Sequence, residues 1–385
     1  MKRTPLRLLA PVLLVFLAAP ASAAPDYQKG VVLGLYNKDA SYTYESELKE
    51  IKALGATHVS LVMSWYQKDI HGNALYPYWK PVGDFDTTSD ARIIQVIDRA
   101  RALGLKVFLF PIIRLEERQP KEWRGVIAPT DPKAWKESYR AFVMHYARIA
   151  AAHNVSLFSV GSELCSQEGD TDYWKGLIAG VRKIYRGELT YSANWDHYQK
   201  IGFWNDLDYL GLNGYYEMTS SNAPVLSDIL KKWWDISNGI NNWQETHKKR
   251  LIFTEIGYPS VDGGCAKPWD YTRAAPVDLE EQALCYEAFF LSWNKSANLG
   301  GVYFWNWYGQ GGENDRSYTP RGKPAEKILA KWYRDTPSSP APSSESRPSA
   351  AAPLAGPAST ATSSAAPVSP SSSPSPPTPP PPATP

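Results

Sequence analysis

The sequence is poor in the residues that metal and thiol chemistry need. It has 3 cysteines, 4 methionines and 6 histidines among 385 residues. The histidines, at 58, 71, 145, 153, 197 and 247, form neither HExxH nor a closely spaced pair. No metal and no cofactor is therefore expected. There is no GxSxG elbow for a serine hydrolase, and no GxGxxG or GxxxxGK[ST] phosphate loop follows the first apolar run. Charge of one sign is scarce too, with 41 Lys and Arg against 39 Asp and Glu. Three of the cations, Lys2, Arg3 and Arg7, sit in a segment that reads as a removable leader; losing those three takes the formal charge from +2 to −1. Nucleic-acid binding thus has no electrostatic support. After residue 24 no apolar run is long enough to span a bilayer, so no membrane contact is expected once the leader is gone.

Tryptophan and proline are abundant instead, at 15 and 32 residues. Much of the proline lies in 336–385, a Pro, Ser, Ala and Thr tail with Glu345 and Arg347 as its charges. Such a segment lacks the apolar side chains that offset ordering entropy and is expected to be disordered, partly polyproline II. Residues 1–24 open with basic residues, continue through an apolar run from Leu8 to Ala19 and end on Ala21-Ser22-Ala23, the pattern of a secretory signal peptide. The mature chain is expected to be secreted or periplasmic, and to work as a monomer. Three cysteines allow at most one intramolecular disulfide. Cys265 with Cys285 is the first choice; Cys165 with Cys265, or no bridge, stays open.

The remaining 25–335 alternates short apolar runs with amphipathic stretches. Eight runs rich in β-branched and aromatic residues stand at 31–36, 58–66, 106–113, 156–164, 188–195, 207–216, 250–258 and 300–308. Their near-continuous apolar character suits parallel strands covered on both faces. Helices are expected over 43–54, 89–103, 173–185, 225–246, 279–297 and 324–333. Another opens at Asp131-Pro132 and continues through Trp135, Tyr139, Phe142, Val143, Tyr146, Ile149 and Ala150 at spacings of three and four. Gly55 and Gly104 fall where helices should stop. Eight strand–helix units close into an α/β fold of the (β/α)8 TIM-barrel type.

In such barrels chemistry gathers at the C-terminal ends of the strands. Carboxylates, carboxamides and indoles converge there, a set suited to a β-linked polysaccharide or oligosaccharide. Glu163 ends FSVGSE and Glu255 ends IFTE, so two carboxylates finish apolar runs on the fourth and seventh strands. Paired carboxylates hydrolyse a glycosidic bond without metal or cofactor. Tyr215 is expected to hydrogen-bond Glu255, and Trp305 to floor the sugar site. Trp65 and Trp195 are stacking candidates, and Arg114 a candidate for lowering a carboxylate pKa or binding a hydroxyl. Trp233, Trp234 and Trp243 are expected to pack. The glycine-rich stretch 309–317, with Glu313 and Asp315, reads as a mobile rim loop. The two-carboxylate chemistry asks for a raised pKa at one carboxyl and a lowered one at the other.

The segments VGSEL, LTYSANWD, WNDLDYLGLNGYY, LIFTEIGYPSVDG, DLEEQALCYEAFF and FWNWYG…YTPRGKPAE resemble glycoside hydrolase family 113, the β-mannanases, over nearly all of 30–333. The resemblance implies endo-hydrolysis of β-1,4-mannan with retention, Glu163 as general acid/base and Glu255 as nucleophile, and with those roles a raised pKa at Glu163 and a lowered one at Glu255. Another β-glycanase of the same clan, or a non-catalytic carbohydrate-binding barrel, remains the alternative. One position departs from the clan pattern. Most members carry Asn before the acid/base glutamate, where it contacts the substrate 2-hydroxyl; here Ser162 stands in that place. Asn194, after the fifth strand, is expected to take over the contact.

Overall fold

The computed structural model describes residues 27–39, 41–78, 87–293 and 296–335. The expected leader and tail lie outside these residues.

Eight parallel strands close on themselves. In chain order they are β1 (Gln28–Gly34), β2 (His58–Gln67), β4 (Lys106–Leu115), β5 (Leu157–Ser162), β6 (Glu188–Asn194), β7 (Leu210–Asn213), β8 (Leu251–Ile256) and β9 (Leu299–Phe304). Each pairs with the next, and β1 pairs with both β2 and β9, which shuts the barrel. A two-residue strand that the sequence did not announce, β3 (Leu75–Tyr76), runs antiparallel to the end of β2. Seven helices are described: α1 (Glu45–Ala53), α2 (Asp90–Ala102), α3 (Pro132–Ala152), α4 (Thr171–Ile184), α5 (Leu226–His247), α6 (Leu279–Trp293) and α7 (Pro324–Asp335). The expected (β/α)8 barrel is the fold.

Local chemistry sets the boundaries. Asp131 accepts the backbone N–H of Lys133 and Ala134, each at 3.0 Å, and Pro132 fills the first turn of α3. Asp170 caps α4 in the same way. Gly55 and Gly104 adopt φ of 92° and 72°, the left-handed conformation that ends a helix at little cost for glycine. The sixth barrel strand is shorter than the expected 207–216, running only over Leu210–Asn213, and a 3-10 turn at Trp204–Asp206 precedes it. Among the described residues no helix is long and apolar enough to cross a membrane.

Two apolar clusters fill the molecule. The larger lies between sheet and helices. The smaller, including Val32, Val62, Phe108, Phe110, Leu157, Ile252 and Tyr303, fills the barrel interior and continues upward into Tyr36, Tyr215, Trp305 and Tyr318. The mouth of the barrel is therefore floored by aromatic rings. Cys265 and Cys285 form the disulfide and tie the loop after β8 to α6. Cys165 is free and partly buried.

Candidate active site

The strands that carry Glu163 and Glu255 are both irregular just before the mouth. On β5 the register with β6 slips between Ser159 and Ser162; on β8 the registers with its neighbours slip near Glu255. A bulge adds a residue to one strand and re-aims the side chains beyond it. On β8 Ile252 belongs to the interior cluster and Phe253 and Ile256 to the outer one. Thr254 and Glu255 both take part in the buried polar contacts at the mouth. Two adjacent side chains thus serve one face, which strict alternation forbids. Glu163 itself sits at φ 52°, a left-handed backbone that non-glycine residues seldom adopt and that marks functional sites. Gly161 permits the turn: a Cβ there would lie 2.6 Å from the Tyr139 hydroxyl and 2.8 Å from the Tyr191 ring.

The two carboxyls are buried, at 0% and 2% exposure, and differently partnered. Arg124 Nη2 donates to Glu163 Oε2 at 2.7 Å, and Asn213 Nδ2 donates to Oε1 at 2.9 Å. The Asn213 amide is oriented by Thr254, whose hydroxyl donates to Oδ1 at 2.8 Å. Tyr215 donates its phenol to Glu255 Oε2 at 2.9 Å. Burial holds the Tyr215 phenol well above its ordinary pKa, so it stays a donor. Burial is a hostile setting for the Arg124 cation, yet the charges of Glu163 and Glu255 prevail and raise its pKa.

Burial raises the pKa of Glu163, against the opposing pull of Arg124 and Asn213. Burial, then the charge of Glu163, pushes Glu255 up to about 8. The expected lowering at Glu255 is thus not what the free site has. One phenol hydrogen bond and a shared arginine do not offset desolvation plus a neighbouring anion. The pair titrates as a unit and retains a proton near neutrality. Because its folded pKa lies above the unfolded 4.5, Glu255 contributes stability that is fully present below about pH 4.5 and lost as pH rises toward 8. Glu255→Gln should therefore raise Tm more at pH 8 than at pH 4.5; equal shifts in scanning calorimetry at both would contradict the buried-proton account.

The other expected residues separate into those at the mouth and those elsewhere. Trp305 is buried in the aromatic floor with Tyr215. Trp195 is half-buried, 5.3 Å from the Tyr216 ring, and borders that floor. Asn194 is nearly buried, but its Nδ2 donates to Asp196 at 3.0 Å and its Oδ1 accepts from the Trp195 backbone N–H. It is Asn213 that reaches both Glu163 and, at 3.5 Å, the Ser162 hydroxyl. Trp65 faces the other way. It packs 5.5 Å from Phe142 and 5.4 Å from His145 on α3, because β2 alternates and Val62 takes the inward face. Arg114 is half-buried with its guanidinium 5.5 Å from the Tyr36 ring centroid, and desolvation lowers its pKa. The arginine on the carboxylate is instead Arg124, in the 3-10 turn Arg124–Val126.

That turn is held by the segment following Glu163. Ser166 donates from its backbone to Gly125 and from its hydroxyl to Ile127, and Gln167 also donates to Ile127. The rim stretch 309–317 is anchored at Asp315, which pairs at 2.7 Å with Lys323, whose side chain is fully buried, while Ser260 donates to the Asp315 carbonyl. Trp233 and Trp243 pack as expected, whereas Trp234 is 66% exposed. Cys165, Glu168 and His197 offer donor atoms within 4.8 Å of one another, as do Asp262, Asp278 and Glu281. In both groups the buried carboxylate already accepts two hydrogen bonds, Glu168 from Tyr191 and His197, Glu281 from the Gly263 and Cys265 N–H groups.

A closed parallel barrel with two buried, mutually interacting glutamates over an aromatic floor defines a glycoside hydrolase. The sequence profile of Glycoside Hydrolase Family 113 matches residues 31–323. The chain belongs to that family. A GH113 β-1,4-mannanase solved as a complex shares 26% identity, covering 80% of this chain and 99% of its own, with a TM-score of 0.72. The GH113 β-mannanase AaManA of Alicyclobacillus acidocaldarius, in complex with ManMIm, shares 27% over 80% of this chain and 97% of its own, TM-score 0.71. A β-D-glucuronidase of Dictyoglomus thermophilum, at 16% identity over 82% of this chain and 52% of its own, shares the fold, with a TM-score of 0.55. No curated protein matches the chain.

Proposed function

We propose that the chain is a secreted, monomeric endo-β-1,4-mannanase acting by retaining double displacement, with Glu163 as acid/base and Glu255 as nucleophile. The observation that carries this is the likeness to two GH113 β-mannanases along almost their whole lengths, joined to the buried glutamate pair at the ends of β5 and β8. In the first step Glu255 attacks the anomeric carbon while the glycosidic oxygen leaves with the Glu163 proton. In the second, Glu163 takes a proton from water, which displaces Glu255 from the sugar. Arg124 and Asn213 both donate to Glu163, so they favour its ionised form, which appears as its proton leaves. The test is release of reducing sugar from mannan, galactan, xylan and mixed-linkage glucan, with Glu163→Gln and Glu255→Gln as controls. Strong release from mannan alone supports the reading; equal or greater release from another polymer, or undiminished release by the controls, defeats it.

A further inference from the structure

Above the aromatic floor two loops from opposite sides of the barrel meet. β4 and β8 are separated by three strands in either direction around the ring, so their loops face each other across the mouth. Arg118, just past β4, donates a guanidinium N–H to the Tyr271 hydroxyl, in the long loop past β8, and its guanidinium carbon lies 6.0 Å from the centroid of that ring. Between them is a cleft of about 700 Å³ lined by 118–122, Lys267 and 269–272. That is the range of small-molecule sites.

Contacts join this cleft to the glutamates. Tyr215, which donates to Glu255, lies 6.3 Å from the Tyr318 ring. Tyr318 in turn donates to the Pro268 carbonyl at 2.6 Å, next to Trp269 in the same aromatic cluster. The loop is tied to α6 by the Cys265–Cys285 disulfide, and the Trp269 indole N–H donates to Glu217 at 3.3 Å. The wall chemistry is that of a sugar site. The Tyr271 ring is partly exposed and offers an apolar face. Lys267 stands 5.8 Å from the Trp269 ring, and it and Lys121 are exposed donors for hydroxyls. The nearby acids are engaged locally: Glu122 accepts from the Gln119 N–H and Asp270 from Thr272.

The geometry points to a further pyranose subsite in this cleft, distant from the scissile bond, with the Tyr271 ring as its stacking surface and Arg118 fixing that ring from the opposite wall. The ligand is a β-linked hexopyranose unit of the same polymer, so the assignment rests on the mannanase reading. A chain that reaches this far gains a contact that a disaccharide at the glutamates does not have.

Titration calorimetry in the Glu163→Gln background separates binding from turnover. Tyr271→Ala should weaken mannohexaose about tenfold and mannobiose less than about twofold, the scale of one lost aromatic–sugar stack. Tyr271→Phe keeps the ring and should hold mannohexaose within about threefold of the parent. An unchanged hexaose affinity in Tyr271→Ala, or equal weakening of hexaose and biose, overturns the subsite. If the parent binds xylo- or cello-oligosaccharides and no manno-oligosaccharide, it is the mannanase reading that fails. The Tyr271 loop is at the surface, and an unchanged melting curve verifies folding.

Discussion

Glu255→Ala should lower kcat/KM on mannan by roughly 10⁴-fold or more, because loss of a covalent nucleophile removes the low-barrier route itself. The variant should still fold, since the deletion removes a buried carboxyl that disfavours the native state at neutral pH. The truncation leaves a small space below the anomeric carbon. Azide can enter it and attack from the side that Glu255 occupied, expelling an activated aryloxide such as dinitrophenolate from a β-mannoside. One displacement in place of two gives the α-glycosyl azide. The rate measurement and the anomeric configuration by NMR test separate claims. Residual activity within tenfold of the parent would remove Glu255 from the nucleophile role, and a β-azide would show that the attack came from elsewhere.

The second large effect is conditional on the leaving group. Glu163→Ala should lose about 10³-fold on mannan, whose alkoxide cannot depart without a proton. On a dinitrophenyl β-mannoside the first step needs no acid, so kcat/KM should fall less than about tenfold. The second step loses its base, so dinitrophenol should appear in a burst followed by slow turnover. Azide replaces activated water and should restore turnover, here with the β-azide as product. Equal losses on both substrates, with no burst, would dissociate Glu163 from proton transfer.

These expectations fit the electrostatics of the free pair. Two donors, Arg124 and Asn213, converge on Glu163, and neither can accept a proton from it. Glu255 has one phenol donor and is otherwise desolvated. Burial raises the pKa of both carboxyls, and the two donors on Glu163 oppose that rise. In the proposed covalent intermediate Glu255 is an uncharged ester, and Arg124 and Asn213 meet the anion left on Glu163.

Much of the scaffold was legible in the chain. Eight β-branched and aromatic runs, separated by helices with recognisable caps, leave few ways to bury their apolar faces, and both glutamates stood out because charge is costly at the end of such a run. The misplacements have physical causes. Trp65 stands near a strand end that suggests the mouth, while period-2 alternation from Val62 turns it toward α3. Arg124 sits in an aperiodic turn, and what brings it to Glu163 is the clamp from Ser166 and Gln167, a contact between loops that no spacing announces. Asn194 and Asn213 are partners in register on adjacent strands, so a linear reading does not distinguish them. The glycines of 309–317 are visible in the sequence, whereas the residue that anchors Asp315, Lys323, lies beyond the stretch.

The irregular pairing of β5 and β8 affects how this enzyme can vary. Substituting a neighbour of either glutamate changes packing but leaves the count of residues along the strand intact. Deleting Thr254 moves Glu255 one place along the pleat and turns its carboxyl to the other face of β8. At these two places the number of residues aims the carboxyls as much as their identity does.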